Sequence, residues 1–120
     1  MKYLRNKTDS MSHISHASDK NSKFDSDLEY AIRLHNIGQI DKAVLYYQTL
    51  LENHPDNPDL WSLMGLAAHQ KNQDSLAEQL IKTALSLDKN VPYFHTNLGL
   101  VYRALNRDQD AEQCFRYAIG

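Results

Sequence analysis

Apolar residues recur along this chain at steps of three and four, and the whole arrangement recurs every 34 residues. Leu28, Ala31, Ile32 and Leu34 form one stripe; Ile40, Ala43, Tyr47, Leu50 and Leu51 form the next. That spacing gathers side chains on one face of an α-helix, and no segment shows the alternation of a half-buried strand. A shift of 34 residues brings the columns into register. Tyr30, Met64 and Leu98 precede a small column of Ala31, Gly65 and Gly99. Ala43, Ala77 and Ala111 make a second small column, followed by bulky Tyr47, Ile81 and Phe115, then Leu50, Ala84 and Ala118. Small residues facing each other let two helix backbones approach, and the bulky column fills the gap that remains.

The boundaries are written in turn and cap residues. Ser26-x-x-Glu29 reads as a capping box that starts the first helix. Gly38, Asn72 and Asn106 share a column between the two small columns, where a turn is needed, and Asn36-Ile37-Gly38 supplies the left-handed residue that ends the first helix. Pro55 breaks the second helix, Asn57 is placed to cap the third, and Pro58 can open it because a first-turn N–H has no helical partner. Six helices are predicted, near 27–36, 40–53, 58–71, 74–87, 92–105 and 108–119. A single helical pair has too little surface to cover its own apolar face, so the pairs should stack.

These columns resemble the tetratricopeptide repeat. The third unit carries Asn97-Leu98-Gly99-x-x-Tyr102, then Asn106, Ala111, Phe115 and Ala118; the second carries Trp61, Met64, Gly65, Ala68, Ala77, Ile81 and Ala84. In the first, Ala31 replaces the glycine and Asp27 the usual aromatic, while Gly38, Ala43, Tyr47 and Pro55 fit. The resemblance implies an all-α, right-handed α-solenoid of three helix-turn-helix repeats with six antiparallel helices. The repeats would span 24–57, 58–91 and 92–120, after a disordered Ser-rich basic tail over 1–23. It also implies a non-enzymatic interaction scaffold whose first helices line a concave groove for a peptide or protein segment. The alternative is the repeat segment of an O-linked sugar transferase-like protein without its catalytic domain.

Composition narrows the chemistry. Net charge is −2, with +3 over residues 1–23 and −4 over residues 24–57, which disfavours nucleic acid as a partner. No apolar run reaches the ~18 residues of a membrane span, so no membrane partner is expected and a cytoplasmic location is the default. The one cysteine, Cys114, shares a column with Tyr46 and Leu80 and is expected to be a buried, inert thiol. His13 and His16 fall in the tail and His54 in a turn, so neither a metal nor another cofactor is expected. No CxxC, HExxH, phosphate loop or Ser/His/Asp arrangement occurs. Met11 is an alternative start to Met1.

Binding residues come from the columns. His35, His69 and Arg103 share one, which the resemblance places on the concave side; Ile32, Leu66 and Leu100 lie three residues earlier on the same helical face. An apolar ladder beside a titratable one suits a ligand carrying carboxylates, and solvated surface beside ordinary core is the equal alternative. Relatives that grip a chaperone's C-terminal carboxylate use cationic groups, but the matching places hold Leu28, Ile32, Leu63, Tyr93 and Asn97. Asn97 matches the groove asparagines of sugar-transferase repeats, whereas Glu29 and Leu63 do not. At the other edge, Phe115 should be covered by its partner helix around Gly99 and Tyr102 while Ile119 is exposed. That edge is expected to meet a second copy, as a homodimer through the last helix, or a missing domain.

Overall fold

A computed structural model describes residues 19–119 of the chain, all of it helices and short turns. The helices are α1 (Asp19–Asn36), α2 (Ile40–Asn53), α3 (Pro58–Gln70), α4 (Asp74–Leu87), α5 (Pro92–Ala104) and α6 (Asp108–Ile119). No strand occurs among the described residues. Five of the six lie within one residue of their expected bounds.

The first does not. α1 starts at Asp19, so residues 19–23, assigned above to a disordered tail, are helical, and Ser26 is an exposed residue inside the helix, not its cap. A capping box needs the chain to leave the helix at its first residue. Here an i,i+4 ion pair between Lys23 and Asp27 at 3.4 Å runs through that point and favours continuation. The rest of the expected tail, residues 1–18, lies outside the described residues.

Each hairpin turn is built alike. Gly38, Asn72 and Asn106 take positive φ, at 90°, 62° and 62°. The amide after each one reaches back five residues: Gln39 to Leu34 at 2.9 Å, Gln73 to Ala68 at 2.8 Å and Arg107 to Tyr102 at 2.8 Å. This is the Schellman closure, which satisfies orphan carbonyls at the helix end. At the start of α3, the Asn57 carboxamide oxygen accepts from the amides of Asp59 at 3.0 Å and Leu60 at 3.3 Å, with Pro58 beside it.

The described residues form two compact units, divided between Pro55 and Asp56. In the first, α1 packs on α2, and Ala31, Ala43 and Tyr47 are buried. In the second, α3 packs on α4, α4 on α5 and α5 on α6. Its core joins Ala68, Ala77, Ile81, Leu98, Val101 and Tyr102. Both glycines of the small column lie against their bulky partners: a Cβ on Gly65 would sit 2.5 Å from Cγ1 of Ile81, and one on Gly99 2.5 Å from the Phe115 ring. The close approach inferred from the columns is therefore present in both hairpins of this unit.

Candidate functional site

The titratable column does not face open solvent as a ladder. His35 is only 3% exposed, and its Nδ1 lies 2.8 Å from the Tyr47 hydroxyl on α2. His69 is half-buried, with Nδ1 2.6 Å from Oδ1 of Asp74, the first residue of α4. Arg103 is exposed, but its guanidinium lies over the Phe115 ring, 5.1 Å from the centroid. All three are thus turned toward the second helix of their own hairpin. Each of the three therefore has a neighbour on that second helix: Tyr47, Asp74 and Phe115. Ile32, Leu66 and Asn97 are also buried, and Leu100 alone of the apolar ladder keeps partial exposure.

What the first helices do present, within the second unit, is a set of polar pairs between α3 and α5. The Tyr93 hydroxyl donates to Oδ1 of Asp59. Nδ2 of Asn97 donates to Oγ of Ser62 at 3.2 Å, with both side chains buried. These bonds satisfy groups that would otherwise be costly to bury. Beside them, Tyr93, Thr96 and Leu100 on α5 are half-buried, the Thr96 hydroxyl donating to the Pro92 carbonyl at 3.4 Å. Asp59 and Ser62 were missed in the column reading, and Tyr93 entered it only as an uncharged clamp place. The signal was available for one pair: Asp59 and Tyr93 are 34 apart, an acceptor one repeat before a donor.

Charges cluster elsewhere. The Glu78 carboxyl is held below its ordinary value chiefly by its bond from Lys82, with Arg107 adding to the effect against a desolvation penalty. The Cys114 thiol is buried and pushed up, first by desolvation and then by the nearby charge of Asp110, in keeping with an unreactive sulfur. Asp25 is also raised, first by burial and then by Glu29. Among the described residues no three His, Cys, Asp or Glu side chains converge as metal ligands would, and no helix is long and apolar enough to cross a membrane. On α6, Phe115 packs on Gly99 and is half-buried, and Ile119 is 90% exposed.

Comparison with known proteins agrees with the helical-repeat fold. Tetratricopeptide-repeat family profiles match residues 37–99 and 92–120. Human tetratricopeptide repeat protein 7B is 28% identical over 82 residues, covering 68% of this chain and 10% of that protein. Protein O-mannosyl-transferase F38B6.6 of Caenorhabditis elegans is 27% identical over 88 residues, covering 72% and 13%. The chain thus spans about a tenth of the length of these relatives. Among solved structures, the second tetratricopeptide domain of Spaghetti (RPAP3), bound to the HSP90 peptide SRMEEVD, superposes with a TM-score of 0.73 at 18% identity, covering 78% of this chain and 87% of that one.

Proposed function

The chain belongs to the tetratricopeptide-repeat family, and on that premise we propose that it is a non-enzymatic scaffold holding a peptide or protein segment on its α3–α5 face. The observation that carries the reading is the pairing on that face. Two buried hydrogen bonds fix neighbouring first helices, while Tyr93, Thr96 and Leu100 stay partly open. A preformed surface of this kind binds without first ordering itself, which lowers the cost of association. The Spaghetti domain, similar in fold, holds a peptide, which supports the class of function though not the ligand.

The ligand differs from that acidic peptide. Leu28, Ile32, Leu63 and Asn97, at the places where the resemblance puts the carboxylate clamp, are buried and uncharged, and Tyr93 spends its hydroxyl on Asp59. Selection of a displayed peptide library on the full chain tests the proposal. Enriched peptides should lose at least about tenfold in affinity on Leu100→Asp, and SRMEEVD should bind no better than its scrambled form. Enriched peptides indifferent to Leu100→Asp would remove the α3–α5 assignment.

A second reading rests on the O-mannosyl-transferase likeness: residues 24–120 would be the repeat segment of a sugar transferase-like protein, with Asn97 in its groove. It predicts that the library selects substrates of a transferase encoded with this segment. Asn97→Ala would then lower transfer, while Ser62→Ala, which removes the same buried hydrogen bond but keeps the carboxamide, would not. A cytoplasmic location belongs to the first reading; fractionation of tagged protein checks it.

A further inference from the structure

Asp25, Asp59 and Tyr93 share one column, and Glu29, Leu63 and Asn97 stand one helical turn further on. In the second unit these polar groups answer one another or a neighbour. The Tyr93 hydroxyl donates to Asp59, and Asn97 donates to Ser62 at 3.2 Å. The first unit leaves Asp25 unanswered. Asp25 is 6% exposed, and its Oδ2 is buried with no hydrogen-bond partner among the described residues. An ionised carboxylate only accepts, so taking one out of water without a donor is costly.

The described cations of this unit are placed elsewhere. Lys23, on the same helix, pairs with Asp27 at 3.4 Å. Arg33 is eight residues on, about 12 Å along the axis. On α2, Lys42 stands in the first turn, at the far end of the hairpin from Asp25. His54, just past the last turn of α2, meets the Phe24 ring with centroids 4.4 Å apart. What stands near Asp25 is a second acid. Glu29, half-buried, lies four residues on along the same face of α1. Burial first, and then the Glu29 charge, raise the Asp25 carboxyl above its ordinary 3.8.

We propose that Asp25 and Glu29 form a subsite for a basic peptide side chain, a guanidinium or an alkylammonium that donates to the buried Asp25 carboxylate. The contrast between the columns sets the charge of the ligand. Asp59 has Leu63 where Asp25 has Glu29, and a neutral phenol satisfies it. Two carboxylates one turn apart call for a positive charge. Arginine suits them best, because its planar fork offers several N–H donors in fixed directions. The −4 charge of residues 24–57 draws such a group toward this unit. The cation has two possible sources: a partner peptide, or Lys2, Arg5 and Lys7 of this chain.

The test follows the Asp25 carboxyl carbon by NMR across pH in the full chain. The probes are the blocked tripeptide Ala-Arg-Ala and its citrulline analogue, which keeps the shape without the charge. The arginine tripeptide should lower the Asp25 midpoint by about one pH unit, and the citrulline one should leave it in place. At neutral pH, Asp25→Asn should abolish saturable binding and Glu29→Gln should weaken it about threefold. Glu29 is half-buried, so its variant carries the test if Asp25→Asn perturbs the helix. A chain with Lys2→Gln, Arg5→Gln and Lys7→Gln tells the sources apart. If its Asp25 midpoint lies above that of the native chain, and it alone responds to the arginine tripeptide, the chain supplies its own cation. If both chains respond alike, the cation comes from a partner. Equal shifts with the two tripeptides would give the position to a neutral donor and overturn the proposal. So would a midpoint unmoved by either tripeptide and by the triple substitution. The carbon reports on Asp25 itself, so the outcome is separate from the α3–α5 reading, which Leu100→Asp tests.

Discussion

In the first hairpin the bulky column is Tyr47, fully buried, with its hydroxyl on buried His35, and the small residue is Ala31. In the four-helix unit the bulky residues are Ile81 and Phe115, each seated on a glycine. The two regions share a period but differ in how they fill the contact: one uses a ring and a buried hydrogen bond, the other backbone proximity. Acidic groups differ in the same sense. In the first hairpin, Oδ2 of Asp25 is buried without a hydrogen-bond partner among the described residues. In the other unit, Glu78 holds two cations. A repeat column therefore specifies volume and position, while the polar solution is local to each repeat.

Removing the buried ring should have the largest effect. Tyr47→Ala is expected to destabilise the first hairpin by about 3–5 kcal/mol. Tyr47→Phe keeps the ring but takes the hydroxyl from His35, and should cost about 1–3 kcal/mol. Amide exchange in α1 and α2 measures both. A Phe variant as stable as the native chain would show that the hydrogen bond is not what distinguishes this hairpin.

Overpacking tests the other side of the comparison. Ala77→Leu adds bulk where Gly65 lies against α4, the Ala77 carbonyl being 3.3 Å from a Cβ built there, and should cost about 1–3 kcal/mol. Gly65→Ala forces Ile81, which is fully buried, to move; the clash is offset in part by about 1 kcal/mol of helix propensity. Gly99→Ala should be milder, because Phe115 is half-buried and can swing. Thermal melts should rank Gly65→Ala below Gly99→Ala. The reverse order would mean that the two hairpins of this unit are not packed alike.

The cap at Asn57 is a smaller term: Asn57→Ala should remove about 1 kcal/mol, read as earlier exchange of the Asp59 and Leu60 amides. It also marks what the sequence made legible. Asn57, the two prolines and the Gly38, Asn72 and Asn106 column are local codes, each needing a backbone geometry that few residues supply, and all appear where expected. Periodicity fixed which residues share a face. It could not fix which faces stay open, because the column of His35, His69 and Arg103 is turned toward a second helix whose reach is a tertiary property. Ser26 misled for a related reason: a cap signal is only a permission to start a helix, and residues 19–25 were equally able to continue it.

The smallest effect carries opposite signs in the two regions. Glu78 has a folded-state pKa below its ordinary 4.5, so its pairing stabilises the four-helix unit above that pH. The contribution is lost as pH falls through the folded value. Asp25 has a folded-state pKa above its ordinary 3.8, so the first hairpin bears a penalty at neutral pH. That penalty lifts as pH falls through the raised value and is gone below 3.8. Acidification from pH 7 toward 3.5 should therefore relieve the first hairpin before it weakens the second unit. Asp25→Asn should remove the gain by making the hairpin's stability at neutral pH resemble the acid value, while Glu78→Gln should flatten only the loss in the other unit. Exchange rates of α1 amides against those of α4, followed across this range, read the two contributions apart. Parallel acid profiles in both units, unchanged by Asp25→Asn, would mean that the buried carboxyl finds a partner in the native chain and that the contrast in acid satisfaction between the units does not hold.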